Sequence, residues 1–228
     1  MWPRYLIFTI LIATKLYANN ETSSMAQIVA KQEILAHGKR AFEARCIGCH
    51  GIKGDGNGPG AKFLTPKPRD LTKGIYKFKS TAIDQFPTDE DLIKVINSGV
   101  HGTSMPSFSL VPTPEKFAIV EYIKTFNEDF FLYLIESAKL VGSEFPRDDF
   151  LVHDKFIKRA TNGRRIFKEA CVTCHGLEGR GDGEGAVDLT DDWGQPIHPA
   201  NLRKAFIKRG YTAQDIYQTI MGGIGGTP

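Results

Sequence analysis

The run Cys46, Ile47, Gly48, Cys49, His50 returns as Cys171, Val172, Thr173, Cys174, His175, and no other feature of the 228-residue chain restricts its fold as strongly. Two thiols three positions apart share one turn of a helix, so both can bond to one edge of a flat ligand. The His that follows lies one step further round, where its imidazole can reach a metal at the ligand's centre. This is the pattern of a c-type haem attachment site, each Cys taking a vinyl group and the His ligating the iron. Two copies predict two covalently held haems c: Cys46 and Cys49 hold one, with His50 on its iron; Cys171 and Cys174 hold the other, with His175 on its iron. An all-cysteine zinc site, or disulfides, would use the thiols but leave the repeated His without a role.

Residues around the two sites repeat as well. Gly38 and Phe42 recur as Gly163 and Phe167, and Ala61 and Leu64 as Ala186 and Leu189, all at an offset of 125 positions. Internal duplication is the simplest account. After each His comes a Gly-rich stretch, residues 54–60 and 179–185, suited to wrapping a backbone closely round a flat ligand. Pro68-Arg69-Asp70-Leu71 then recurs as Pro199-Ala200-Asn201-Leu202, the offset now 131. A proximal His needs an acceptor for its second ring N–H, and the carbonyls of Pro68 and Pro199 are the candidates. Thr88-Asp89-Glu90-Asp91 and Thr212-Ala213-Gln214-Asp215 each read as a capped helix start, followed by an apolar face and closed by Gly, at an offset of 124.

The loop beyond the first of those helices holds Met105, 55 residues after His50, between Gly99, Gly102 and Pro106. A thioether there is the expected distal ligand of the first iron, with His101 as its rival. In the second half the same register carries Gly99 to Gly223 and Thr103 to Thr227, and the counterpart of Met105 falls at position 229, one beyond Pro228. Met221 aligns instead with Asn97, inside the helix end. His198, beside Pro199, reads as a surface or haem-edge residue rather than a substitute second distal ligand; His37 and His153 read as solvated, and so do Lys77 and Lys79, in preference to contact with propionates or a partner.

Met1 to Arg4, with the apolar run Tyr5 to Ala13, reads as a signal peptide spanning residues 1–18. The run is too short for a bilayer span, which needs about twenty residues. Export suits thiol-linked haem and places the chain in the periplasm, with no transmembrane anchor in the mature protein. Charge is nearly balanced, +3 overall, with 41% apolar residues, and points neither to disorder nor to nucleic acid. Ser24-Met25-Ala26-Gln27 is a capping pattern for a helix leading to Cys46. Thr113-Pro114-Glu115 opens another, with Phe117, Val120, Ile123 and Phe126 as its apolar stripe. Phe130 to Ile135 is a short apolar segment that packs on the first half or between halves, and Pro146 to Asp149 belongs to a linker.

Each half resembles a class I cytochrome c domain: a helix into C-x-x-C-H, a Pro-x-x-Leu segment and, in the first half, a G-T-x-M-P loop and a terminal helix. The resemblance implies an all-α fold of two tandem domains, 24–129 and 156–228, joined by 130–155, the second lacking its distal Met and terminal helix. It also implies a dihaem carrier of single electrons, or an electron-transfer subunit of a redox complex, working between a donor and an acceptor protein. A dihaem peroxidase is the enzyme alternative and needs one iron with an open sixth position. A haem-based sensor would bind carbon monoxide when reduced.

Overall fold

The computed structural model describes residues 5–82, 84–132, 153–204, 207–210 and 212–227. Residues 1–4 of the expected signal peptide and most of the expected linker, Pro146 to Asp149 included, lie outside them. The described residues are helical and form no strands, in two tandem domains.

In the first domain, α1 (Tyr5–Arg45) leads into the short α2 (Ile47–His50), and α3 (Asp89–Ser98), α4 (Thr113–Lys124) and α5 (Glu128–Leu132) follow. Ser24 does not start a helix: α1 runs through it without a break. The chain from Tyr5 to His37 contains neither Gly nor Pro, so nothing in it favours a stop, and a capping sequence inside a continuous helix is merely tolerated.

Helix α1 crosses α4 at Gly38, where an added Cβ would lie 1.9 Å from the Ala118 carbonyl oxygen. The close approach lets Phe42 insert between Tyr122 and Phe126, at ring centroid separations of 5.6 and 5.2 Å. Arg45 to Glu115 (3.0 Å) and Lys31 to Glu121 pair along the same crossing. The core is Ala41, Phe42, Leu71, Leu92, Ile96, Ile119, Val120, Ile123 and Phe130. The buried stripe of α4 is set by Ile119, Val120 and Ile123, and Phe117, expected within it, is 39% exposed on the flank. Phe130 packs on the first domain, stacked on Phe86 at 4.6 Å.

The second domain repeats the opening with α6 (His153–Ala170) and α7 (Val172–His175), then α8 (Ala213–Gly222). Both long capped helices carry a complete capping box. Thr88 Oγ1 accepts from Asp91 N and Thr212 Oγ1 from Asp215 N, each at 3.1 Å, and the carboxylates accept in return from the Thr backbone N–H groups. Positions buried in the first domain are open in the second: Ile96 is 9% exposed and its counterpart Ile220 74%. In the first domain α4 covers this face, and no equivalent helix is among the described residues of the second.

Candidate haem sites

Each C-x-x-C-H run forms a single helical turn closed by a glycine. Gly51 (φ 76°) and Gly176 (φ 74°) adopt a conformation side chains resist, and their N–H groups return to Ile47 O and Val172 O. The four cysteines form no disulfide with one another, and each is half-buried. No group of three or more His, Cys, Asp or Glu side chains among the described residues could hold a metal ion, so the two pairs do not assemble the zinc site considered above.

The Gly-rich loops fold back over these turns in matching fashion. Gly56 N donates to His50 O (2.9 Å) and Gly181 N to His175 O (2.8 Å). Leu71 N donates to Gly54 O (2.7 Å) and Leu202 N to Gly179 O (2.8 Å). The glycines are required by contact: a Cβ on Gly58 would lie 2.4 Å from Ile47 O, and one on Gly183 2.2 Å from Thr173 O.

His50 Nδ1 lies 3.0 Å from the carbonyl oxygen of Arg69, and His175 Nδ1 lies 3.0 Å from that of Ala200. The expected acceptors, Pro68 and Pro199, are therefore each one residue out. Their carbonyls face the glycine loops, where a Cβ on Gly56 would meet Pro68 O at 2.7 Å and one on Gly181 would meet Pro199 O at 2.4 Å. In an extended segment successive carbonyls point opposite ways, so when the Pro carbonyl faces the loop its successor faces the imidazole. A carbonyl can only accept, which places the proton on Nδ1 and leaves the Nε2 lone pair for a metal. Burial holds the His50 imidazole below its ordinary pKa, against the hydrogen bond to Arg69, and so favours the neutral, ligating form. Burial also pushes the Cys46 thiol up to about 11.

Met105 is half-buried against the first-domain core, whereas His101 is exposed. Its loop is tied by Val100 N to Met105 O (3.1 Å), Met105 N to Thr103 Oγ1 (3.2 Å) and Thr103 Oγ1 to Val100 O (2.8 Å). The second domain repeats the start of this loop: Gly223 (φ 68°) matches Gly99 (φ 66°), and Thr227 Oγ1 donates to Ile224 O at 2.6 Å.

A family model described as Cytochrome c matches residues 35–127 and 160–227. The chain belongs to the cytochrome c family. The family implies covalently bound haem c, and this cytochrome c offers what haem needs. Each site has two thiols on one turn and an imidazole with Nε2 free of its carbonyl bond. The Tyr76 hydroxyl, on a side chain only 8% exposed, has no hydrogen-bond partner among the described residues. That hydroxyl is a donor suited to a haem propionate.

A solved structure resembles this cytochrome c closely: a chain of the Kuenenia stuttgartiensis reducing HAO-like protein complex Kustc0457/Kustc0458, with a TM-score of 0.74, 33% identity and 84% of each chain covered. No curated protein matches.

Sequence reasoning missed Lys79, expected to be solvated. It is 2% exposed, with its ammonium donating to Ala82 O and Gln85 O, and burial lowers its pKa to about 8. Lys77 pairs with Asp191 of the second domain at 3.5 Å. Asp191 is remote from Lys77 in sequence, and although Ala82 and Gln85 lie only three and six positions from Lys79, nothing in the residue types there signals a buried ammonium. His37 and His198 are exposed, as expected.

Proposed function

We propose that this chain is a dihaem c-type cytochrome, exported to the periplasm, that moves single electrons between its two irons as the electron-transfer subunit of a redox complex. The observation that carries this reading is the repeated proximal geometry, His50 to Arg69 O and His175 to Ala200 O, each at 3.0 Å beside its own cysteine pair. Bound haem supplies the one-electron couple of its iron, and the chain supplies ligands, orientation and burial. Half-burial of Met105 in a tied loop supports a thioether cap on the first iron, which favours electron transfer over oxygen chemistry. The similar chain belongs to a reducing HAO-like complex, which supports an HAO-like oxidoreductase as the redox partner.

The test uses the full-length exported protein. Two haems per chain by intact mass, a weak near-infrared iron–thioether band when oxidised and negligible peroxide turnover are expected. Rapid peroxide turnover would replace the carrier reading with the peroxidase one, and a single haem per chain would end the dihaem reading.

A further inference from the structure

The offset between the halves grows from 125 at Leu189 to 131 at Pro199, so the second half carries six additional residues between them (131 − 125 = 6). They fold into a tight loop. Thr190 bridges to Pro196, and the Asp191 carboxylate accepts from Trp193 N (3.1 Å) and Gln195 N (3.0 Å). The loop delivers Trp193 to the first domain, with its ring centroid 3.7 Å from the guanidinium carbon of Arg69. The same ring abuts Gly226 of the second distal loop, where a Cβ would lie 2.2 Å from it.

Arg69 is the residue whose carbonyl holds His50. Its charge is felt at that imidazole, where it opposes protonation, and burial pushes the guanidinium down to about 10 against the attraction of Asp191. The neighbouring acids are largely committed elsewhere: Asp70 to Thr72 N (2.9 Å) and Oγ1 (2.6 Å), Asp191 to Lys77. Asp192 is exposed. A poorly screened cation near an iron centre favours its less positive, ferrous state and so raises its potential. The carbonyl itself does not depend on Trp193, because Leu71 N to Gly54 O anchors that backbone within the first domain.

We propose that Trp193 acts from the second domain as a positioning residue for the first haem, covering the Arg69 guanidinium so that its charge stays weakly screened and raises that haem's potential. The inference rests on the dihaem reading above. Haem content of the wild-type chain is therefore measured first: two haems uphold that reading, and fewer overturn it and this inference with it.

Redox titration of the haem-loaded full chain then tests the role of Trp193. The two haems are resolved by electron paramagnetic resonance, and the first is identified as the signal altered in Met105→Ala. Trp193→Ala is expected to lower the first potential and leave the second in place, with Trp193→Phe recovering most of the shift. Arg69→Met should lower it too, and adding Trp193→Ala to Arg69→Met should cause no further change. An unchanged first potential in Trp193→Ala, equal shifts in both haems, or additive effects in the double variant would overturn the proposal. If Trp193→Ala loads poorly, the Trp193→Phe and Arg69→Met pair decides by the same criterion: Arg69→Met without a shift overturns it.

Discussion

At the scale of single residues, the proximal geometry turns on which carbonyl faces the imidazole, and the proposed distal ligation on one sulfur. Met105→Ala is expected to abolish the near-infrared thioether band and admit carbon monoxide to the reduced first haem while the haem stays covalently attached. Optical spectra with and without carbon monoxide check this. The loop glycines are a second, steric requirement. Gly58→Ala would drive a methyl to 2.4 Å from Ile47 O and 2.7 Å from Cys49 O, backbone atoms held by the attachment turn itself. Overpacking against such neighbours costs about 1–3 kcal/mol, so a lower midpoint in urea unfolding is expected.

At the scale of elements, the first domain is held by the crossing of α1 and α4 and by the cap of α3. Gly38→Ala would place its Cβ 1.9 Å from Ala118 O and force the helices apart. The expected loss is again about 1–3 kcal/mol, with Phe42 displaced from between Tyr122 and Phe126, read from denaturant midpoint and near-ultraviolet circular dichroism. Thr88→Ala removes the side-chain cap of Asp91 N and is expected to cost about 1 kcal/mol. The aligned helix α8 has the same cap, yet its apolar face is far more open than that of α3, since Ile216 is 37% exposed and its counterpart Leu92 5%. Equal local signals therefore yield unequal burial, because burial depends on what packs across the face.

At the scale of the whole molecule, the two capping carboxylates also join the domains. Asp215 of α8 accepts from Lys94 of α3, and Arg209 of the second domain lies 3.8 Å from Asp91 of the first while donating to Lys79 O. At Asp215, burial works to raise the pKa, but hydrogen bonds from Lys94 and Thr212 prevail and hold the carboxyl below its ordinary value. A depressed carboxyl pKa gives stability that is full above the unfolded value of about 4 and is lost as pH falls through the folded value. The domain contact is thus expected to weaken below about pH 4, seen as a rise in radius of gyration by small-angle scattering. Asp215→Asn should blunt that dependence.

The two C-x-x-C-H turns, the duplication, the all-α class and both capping boxes were legible in the chain, because each depends on chemistry within a few positions or on a repeat. The run-through of α1 past Ser24 and the outward turn of Phe117 were not, since a local pattern permits an element without fixing its ends or facing. The shift of the His acceptor from Pro68 to Arg69 was set by the close approach of the Pro68 carbonyl to Gly56, twelve positions away in sequence. The six extra residues before Pro199 showed only as a change of register. Their destination, Trp193 against Arg69, required both domains to be folded and docked, because stacking and desolvation depend on distances in space that spacing along a chain does not encode.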